Sequence, residues 1–379
     1  MTKSSLRLVH LTSVHRTFDV RIFDKHCRTS VEAGDDVVLV STHDCDEVVD
    51  GVVIKSVPKR SHRLLRMTLT AWQVYRTARR QQADLYVIHD PELLPWARLL
   101  RWTGHRVVYD MHENVPKDIL SKTWIPAWLR KPLACAVRYV ERLLIGKMPV
   151  LFAESSYVAS YPWVEDSAVI RNFAKLDLSE PVAREGNPPT LAYIGAVSRD
   201  RGSVVTLEAL KLLAERGLSV GWLCIGPISP AEHESELLSF VEKHGLSRVE
   251  FTGYIKSSQA IKRIADCTIG IAVLQPEPNF VESYPTKIFE YMALGMPVVT
   301  SRFPLYQEVI EQSQCGVCVD PTDANEIADA VESLVQQPEL SQQYGDRGRQ
   351  AVVETYNWGV EFKKLRTFYE QVLLSSRSR

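Results

Sequence analysis

The segment at 281–301, VESYPTKIFEYMALGMPVVTS, combines acidic and basic side chains with strong helix boundaries. Pro285 suits the first position of a helix, and Gly295 followed by Pro297 ends that helix near residue 294. The start of a helix is positively polarised, and its free amides bind phosphate groups. Because Lys287 adds a full positive charge in the first turn, the segment predicts a phosphate site.

Two glutamates flank that predicted phosphate site. Glu290 lies five residues beyond Pro285, which is roughly 7–8 Å along a helix axis and about the reach from a diphosphate to a ribose. A carboxylate there can accept hydrogen bonds from both ribose hydroxyls, as in dinucleotide sites. Glu282, on the preceding loop, is placed for the sugar at the other end of a nucleotide-sugar. The residues expected to bind this donor are Glu282, Tyr284, Thr286, Lys287 and Glu290. The alternative is a core helix with surface charges.

A second constellation is YIGAVSRDRGSVVTLEAL at 193–210. Gly195 ends a predicted strand, and Arg201 opens the helix that follows. A preorganised arginine at this position stabilises the charge of a leaving diphosphate. Arg199 is a second candidate for the same role. For both arginines the alternative is a solvated helix start.

In the first half of the chain, histidines stand where predicted strands end. His89 in VIHDPELLP and His112 in YDMHENVP are each followed by an acidic residue, Asp90 and Glu113. Ligands of parallel sheets bind at the carboxyl ends of strands. We therefore predict that His89 contacts the reacting sugar or the acceptor and that His112 and Glu113 lie on the acceptor side. The alternative is a pair of hydrogen-bonded core histidines.

Short apolar runs alternate with amphipathic helical stretches along the whole chain, which is typical of parallel α/β domains. Strands are predicted at 6–12, 36–42, 84–90, 106–112, 149–155, 189–197, 220–226, 249–255, 267–274, 297–301 and 316–320. Helices are predicted at 20–33, 64–81, 91–103, 127–147, 203–217, 230–244, 257–266, 285–294, 324–335 and 358–375. The Pro-, Gly- and charge-rich stretch 178–190 is the expected linker between two doubly wound domains. No G-x-G-x-x-G follows the first strand, which argues against a nicotinamide or flavin dehydrogenase.

These segments resemble the retaining GT-B glycosyltransferases of the family-4 type, which share the E-x7-E spacing of Glu282 and Glu290. HDPELL and YD-x-HE resemble segments of a bacterial branch of that family. The resemblance implies two facing Rossmann-like domains with a C-terminal helix that returns to the first domain. The expected domains are 1–177 with 358–379 on the acceptor side and 178–357 for the nucleotide-sugar. It also implies transfer with retained anomeric configuration, with Glu282 at the donor sugar and Glu290 at the ribose.

Further residues carry over from the same resemblance. Arg201 stands in the place of a family lysine, and Gly253 stands where members keep a glycine near the base pocket, although a plain turn glycine is the alternative. His15, Asp19 and Arg21 resemble an H-x3-D-x-R-I-F pattern assigned to the acceptor side, and Asp19 is equally suited to cap the next helix. The chain departs from the family in having SYPTK between its glutamates where many members have a glycine-rich tract.

The implied function is transfer of a sugar from a nucleoside-diphosphate sugar, UDP favoured over GDP, to a glycan or lipid-linked acceptor in cell-surface polysaccharide synthesis. No cofactor or metal is expected: Asp44-Cys45-Asp46 follows the wrong strand for a metal-binding D-x-D. The pair Cys315 and Cys318 is expected in an apolar strand. A nucleotide-sugar 2-epimerase and a catalytically silent sugar-binding subunit are the alternatives.

Composition bounds the partners and the location. The 379 residues carry a net charge of −1, which does not suit nucleic-acid binding, and seven dispersed cysteines indicate a reduced, cytoplasmic protein. No apolar stretch is long enough to span a membrane. Residues 52–83 contain eight Lys or Arg and no acidic side chain, and 122–148 interleaves tryptophans with cations. Such a surface favours a peripheral contact with the inner face of the cytoplasmic membrane, with ordinary solvated helices as the alternative.

Overall fold

The computed structural model describes residues 5–60, 62–122, 124–173, 175, 188–255 and 257–375. The chain forms two compact units: unit 1 comprises residues 1–172 and 358–379, and unit 2 comprises residues 173–357. The predicted domain boundary at 177/178 and most of the predicted linker 178–190 lie outside the described residues.

The strands of unit 1 form one sheet around the first strand of the chain. They are β1 (Arg7–Leu11), β2 (Asp36–Thr42), β3 (Glu47–Val49), β4 (Val52–Val57), β5 (Leu85–Ile88), β6 (Val107–Met111), β7 (Val150–Phe152) and β8 (Ser167–Val169). Within the described residues their order is β3-β4-β2-β1-β5-β6-β7-β8, and only β3 pairs antiparallel, with β4. The direction of winding therefore reverses between β1 and β5, which makes that point the ligand-binding crevice expected of a doubly wound sheet.

The strands of unit 2 repeat this plan without an antiparallel member among the described residues. They are β9 (Thr190–Ile194), β10 (Gly221–Ile225), β11 (Val249–Phe251), β12 (Ile269–Ala272), β13 (Val298–Ser301) and β14 (Gly316–Val319). Their order is β11-β10-β9-β12-β13-β14 with all pairs parallel. The winding reverses between β9 and β12, so the loops after these two strands border the crevice.

Helices connect the strands of both units. They are α1 (Arg28–Glu32), α2 (Arg63–Leu65), α3 (Ala71–Arg79), α4 (Leu94–Trp102), α5 (Val115–Ser121), α6 (Ala127–Ile145), α7 (Ser155–Ser160), α8 (Ser203–Glu215), α9 (Ala231–Lys243), α10 (Ser257–Ile264), α11 (Pro278–Val281), α12 (Thr286–Ala293), α13 (Pro304–Ser313), α14 (Ala324–Gln336), α15 (Pro338–Glu354) and α16 (Trp358–Ser375). Two π-helical segments, Val20–Cys27 and Arg66–Thr70, precede α1 and α3, and 3-10 turns lie at Pro91–Leu93 and Arg199–Arg201.

The last helix, α16, belongs to unit 1, as the resemblance implied. Trp358 is buried, and its Nε1 donates a hydrogen bond to Thr29 Oγ1 at 2.9 Å. Arg366 forms a buried ion pair with Asp35. These two bonds fix α16 on α1 and on the residue before β2, which precede it by more than 300 residues of sequence.

The predicted α/β architecture with two Rossmann-like sheets is confirmed, and every predicted strand has an observed counterpart. The sequence missed β3, β4 and β8, which are short or interrupted by polar residues, and the helices α5, α7, α11, α13 and α15. Two predicted helices are partly π-helical: the helix expected at 20–33 begins as Val20–Cys27, and the helix expected at 64–81 contains Arg66–Thr70.

Candidate active site

Helix α12 begins one residue later than the sequence predicted. Pro285 is the N-cap, with φ −74° and ψ 119°, and Thr286 is the first helical residue. No side chain of the described residues caps this end, so the polarised helix start is open to a ligand. The helix ends as predicted, because Gly295 adopts a φ of 71° directly after the C-cap.

Lys287, in the first turn of α12, is buried without a hydrogen-bond acceptor among the described residues. Its Nζ lies 3.9 Å from the centre of the Tyr193 ring. Burial and the charge of Arg201 lower the pKa of Lys287 to about 7, against a smaller opposing effect of Glu290. A buried ammonium without an anionic partner is unfavourable, so an anionic ligand bound here would both pair Lys287 and restore its charge.

Glycines remove side chains from the carboxyl ends of the neighbouring strands. Gly195, after β9, has a φ of 124°, and a Cβ there would lie 3.5 Å from Lys287 Nζ. Gly226, after β10, packs so closely that its Cβ would lie 1.9 Å from the Gly195 carbonyl oxygen. Gly253, after β11, has a φ of 66° and open space around it, and it pairs with Gly226 in an isolated bridge. The edge therefore exposes backbone rather than side chains, which suits a phosphate or base that must approach closely.

The structure brings Arg201 to this edge but not Arg199. The Arg201 guanidinium lies 5.3 Å from the Phe280 ring centre and is close enough to Lys287 to lower its pKa. The Arg199 side chain is 64% exposed and pairs with Glu236. Of the two arginines predicted for the leaving diphosphate, only Arg201 shares a site with Lys287.

The remaining predicted donor residues surround α12. Glu282 is exposed and follows α11, and Thr286 is exposed at the helix start. Glu290 is half-buried and close enough to Lys287 to affect its pKa. Tyr284 instead packs among aromatic rings, with Phe173 at 6.4 Å and Phe289 at 6.0 Å between ring centres. Tyr284 therefore supports the loop before α12.

The carboxyl edge of the unit 1 sheet carries a buried chain of histidines around Asp110. His10 Nδ1 lies 2.9 Å from His89 Nε2, and His89 Nδ1 lies 3.1 Å from Asp110 Oδ2. His112 Nε2 lies 2.7 Å from the same oxygen. Because a carboxylate only accepts hydrogen bonds, His89 and His112 both donate to Asp110, and His10 donates to His89. Both ring nitrogens of His89 are thus engaged inside unit 1, and its predicted contact with a sugar remains a prediction.

Arg21 balances the charge of Asp110, contrary to the acceptor-side role predicted for it. Its Nη2 lies 2.6 Å and its Nε 3.2 Å from the two carboxylate oxygens, and its Nη1 donates to the Ile170 carbonyl at 2.9 Å. Burial alone raises the pKa of Asp110, but Arg21, His112 and His26 outweigh it and hold that pKa well below its ordinary range. Arg21 is 5% exposed, so we correct its assignment from an acceptor ligand to a buried counter-ion.

The outer layer of this edge contains the other predicted acceptor-side residues. His15 Nε2 lies 3.3 Å from Asp90 Oδ1, and the His15 ring lies 4.9 Å from the His112 ring. Glu113 is exposed. Asp19 caps the first helical segment by accepting from the amides of Arg21 and Ile22, which supports its capping role.

The sequence analysis did not single out Asp110, His10, His26 or Asp90 as site residues. Asp110 lies inside the apolar strand β6, and its charge in that position is the signal that could have identified it. Asp90 accepts hydrogen bonds from Thr12 Oγ1 at 2.8 Å and from the Ser13 amide at 2.5 Å. Donor atoms of His89, Asp110 and His112 lie within 4.8 Å of one another and could hold a metal ion. Arg21 already neutralises the charge of Asp110. The expectation that the reaction needs no metal ion stays a prediction.

Two sequence motifs have structural roles. Asp46, of the D-x-D, accepts from Lys55 Nζ at 2.8 Å and from the Ser56 amide at 2.8 Å, which link it to β4. Cys315 and Cys318 are free thiols at and beside β14, and Cys315 is buried.

Comparison with known proteins identifies the family of this chain. Residues 175–351 match the family described as glycosyl transferases group 1, and residues 25–161 match the glycosyl transferase 4-like domain. Together these matches cover most of both units. The chain belongs to the GT-B glycosyltransferases of the family-4 type. It is therefore a glycosyltransferase.

Individual relatives of this glycosyltransferase have diverse substrates. It is 24% identical to the MMP alpha-(1->4)-mannosyltransferase of Mycolicibacterium hassiacum over 77% of the chain and 72% of the relative. It is 27% identical to the phosphatidyl-myo-inositol mannosyltransferase of Mycobacterium leprae over 55% of each protein. Among solved structures, Anabaena HepE in complex with UDP-glucose has a TM-score of 0.69 at 14% identity, with 99% of this chain and 100% of that chain covered.

Within the described ranges, no helix is both long enough and apolar enough to cross a membrane.

Proposed function

We propose that this glycosyltransferase moves a sugar from a nucleoside-diphosphate sugar to a glycan or lipid-linked acceptor, with retention, in cell-surface polysaccharide synthesis. The observation that carries the donor assignment is the buried Lys287 ammonium beside Arg201 and the open start of α12. This concentration of positive charge lies at the glycine-lined switch point of the unit 2 sheet, where α/β proteins bind nucleotides.

We assign each part of the donor to the residues whose chemistry suits it. Its diphosphate lies against Lys287, Arg201, the Gly195 backbone and the α12 start at Thr286. The ribose hydroxyls donate to Glu290, the sugar reaches Glu282, and the base lies near Gly253. The UDP-glucose complex of the HepE structure supports a uridine nucleotide over a guanosine nucleotide.

The reaction requires stabilisation of a leaving diphosphate. The acceptor hydroxyl oxygen forms a bond to the anomeric carbon on the face from which the diphosphate departs, and a phosphate oxygen takes the hydroxyl proton. The bond from the anomeric carbon to the diphosphate breaks, and its electron pair stays with the phosphate. Lys287 as an ammonium, Arg201 and the α12 start stabilise this negative charge without a metal ion.

Glu290→Ala provides the test of the donor site. The variant is expected to keep its unfolding temperature and to lose most of the thermal stabilisation and calorimetric affinity for UDP and UDP-sugars, with GDP compounds measured in parallel. Glu354→Ala, an exposed position on α15, is the matched control. Unchanged affinity in Glu290→Ala would refute the ribose assignment. Product analysis on donor alone separates the alternatives, because epimerised sugar without acceptor would contradict a transferase.

We further propose that unit 1 contacts an anionic membrane surface, where a lipid-linked acceptor would be carried. Only Ala134, Glu141 and Ile145 of α6 are buried, although the helix has 19 residues. Trp124 and Trp128 are 71% and 78% exposed. Further exposed apolar side chains there are Leu129, Leu133, Tyr139, Val140 and Leu143, with Leu64, Leu65, Met67, Leu69 and Trp72 on the earlier basic segment. Exposed aromatic and aliphatic side chains among cations are typical of interfacial helices.

The membrane contact is tested by sedimentation with vesicles of phosphatidylglycerol and phosphatidylcholine. The double variant Trp124→Ser/Trp128→Ser is expected to remain in the supernatant while the wild-type protein sediments. Trp102→Ser is the matched control, because Trp102 is 75% exposed and ends a different helix, α4. Equal sedimentation of the double variant and the wild type would contradict this contact.

A further inference from the structure

A buried hydrogen-bonded chain supports the turn that carries Arg201. Ser203, the first residue of α8, is 3% exposed, and its Oγ lies 2.7 Å from His233 Nε2. His233, on α9, is 4% exposed, and its Nδ1 lies 3.0 Å from Glu236 Oε2. Glu236 also pairs with Arg199. The spacing is that of a serine–histidine–carboxylate triad, so the burial and the partners of Ser203 decide what the chain does.

Ser203 links the turn to α9 through both of its close polar neighbours. Its Oγ lies 2.9 Å from the Ser198 carbonyl oxygen and 2.7 Å from His233 Nε2. The Glu236 carboxylate only accepts hydrogen bonds, so His233 Nδ1 donates to it. Because Ser203 is buried and contacts a polar atom on each side, it acts as a structural link and not as an exposed nucleophile.

The bonds of this chain converge on the Ser198 carbonyl. Besides Ser203 Oγ, that oxygen accepts from the Arg201 amide at 3.1 Å. On the other side of the turn, Gly202 adopts a φ of 81°, and a Cβ there would lie 2.1 Å from the Val273 carbonyl oxygen. The turn Ser198–Gly202 is thus held between α9 and the end of β12. Its geometry determines where the Arg201 guanidinium lies.

We propose that His233 is a positioning residue for the donor diphosphate: through its bonds to Ser203 and Glu236, it fixes the turn that presents Arg201. This inference rests on the proposed donor site, because it assumes that Arg201 faces the diphosphate. It predicts a specific signature, in which loss of His233 weakens the recognition of phosphate and leaves the recognition of the nucleoside unchanged.

The experiment compares the affinities of UDP and uridine by calorimetry, with GDP and guanosine in parallel. His233→Ala is expected to weaken diphosphate binding by roughly 10- to 100-fold, since displacing a positioned group by about 1 Å costs up to that factor. Nucleoside affinity should change less than about twofold. His233→Gln, which can still donate one hydrogen bond to Ser203, is expected to give an intermediate loss. His244→Ala is the matched control, because His244 lies at the opposite end of the same helix.

A second readout does not depend on ligand. Hydrogen exchange in the peptide covering 198–203 is expected to be faster in His233→Ala than in the wild-type protein, because the turn loses its support. Unchanged exchange there, or equal UDP affinity in His233→Ala and wild type, would overturn the inference. If His233→Ala does not fold, His233→Gln and Glu236→Gln decide the question by the same comparison of UDP with uridine. A wild-type protein that binds neither UDP nor GDP contradicts the proposed function instead, and the exchange of 198–203 still tests the support that His233 gives to the turn.

Discussion

The carboxyl edges of the two sheets are built in opposite ways. In unit 1 the edge is filled by side chains, and Asp110 accepts hydrogen bonds from Arg21, His89 and His112. In unit 2, Gly195 and Gly226 leave backbone atoms exposed at the edge in place of side chains. The two sheets share one winding plan, so the difference lies in the residues that follow equivalent strands.

This difference predicts that the edge of unit 1 stabilises its fold and that the edge of unit 2 binds a ligand. The charge of Asp110 is balanced by Arg21, and His89 and His112 also donate to it, so this network stabilises its unit and orients the outer histidines His15 and His112. The edge of unit 2 holds a buried cation whose charge is not balanced within it, and its glycines leave room for an anion. Substitutions in unit 1 should therefore act first on stability, and substitutions in unit 2 first on ligand binding.

The largest expected effect is on the stability of unit 1. Asp110→Ala leaves the buried Arg21 without its carboxylate and should lower the free energy of unfolding by about 3–5 kcal/mol. Asp46→Ala is the control, because Asp46 forms an exposed pair with Lys55 and should cost about 1 kcal/mol or less. Urea denaturation measures both values. Equal losses in the two variants would show that the Asp110 network does not stabilise unit 1.

The next effect concerns the close backbone approach in unit 2. Gly226→Ala forces a Cβ against the Gly195 carbonyl and should cost about 2–4 kcal/mol and abolish nucleotide binding. Gly217→Ala, just after α8, is the matched control, since its Cβ meets open space at a φ of 80° and the positive φ alone costs about 1–2 kcal/mol. Denaturation and UDP calorimetry measure both properties. Nucleotide binding that survives in Gly226→Ala would contradict the role of the glycine-lined edge.

Lys287→Met tests the difference between the two edges through the pH dependence of the free energy of unfolding. The pKa of Lys287 is about 7 in the folded protein and is lowered from its ordinary value near 10.5, so the unfolded chain binds more protons between these values. Wild-type stability should therefore gain a contribution that rises with pH across that window, by at most about 1.4 kcal/mol per pH unit. The methionine variant lacks this contribution and should bind UDP about 10- to 100-fold more weakly. Parallel pH profiles of unfolding for the two proteins would contradict the buried, uncompensated ammonium.

The smallest effect distinguishes the two arginines. Arg201→Ala should weaken UDP binding by about tenfold or more, because it removes a charge beside Lys287. Arg199→Ala, which removes an exposed pair with Glu236, should change UDP affinity less than Arg201→Ala does. Calorimetry of both variants makes the comparison, and a larger loss in Arg199→Ala would reverse the assignment.

The fold was predictable because buried parallel strands are apolar runs and because Gly295 and Pro297 mark the end of α12 in the sequence. The start of that helix was displaced by only one residue. The interior of the sites was not predictable. The sequence gives no sign that Arg21 reaches Asp110, 89 residues away, rather than a ligand. It also could not distinguish Arg199 from Arg201, since two residues in one turn differ only by the direction that the turn gives them.

The most direct test of the central claim is hydrogen exchange of the full protein with and without UDP, and separately with GDP. The account predicts slower exchange with the bound nucleotide in peptides covering 195–203 and 283–291 of unit 2. Protection confined to the strand ends at 10–15, 89–92 and 110–113 of unit 1, with no change in unit 2, would contradict it.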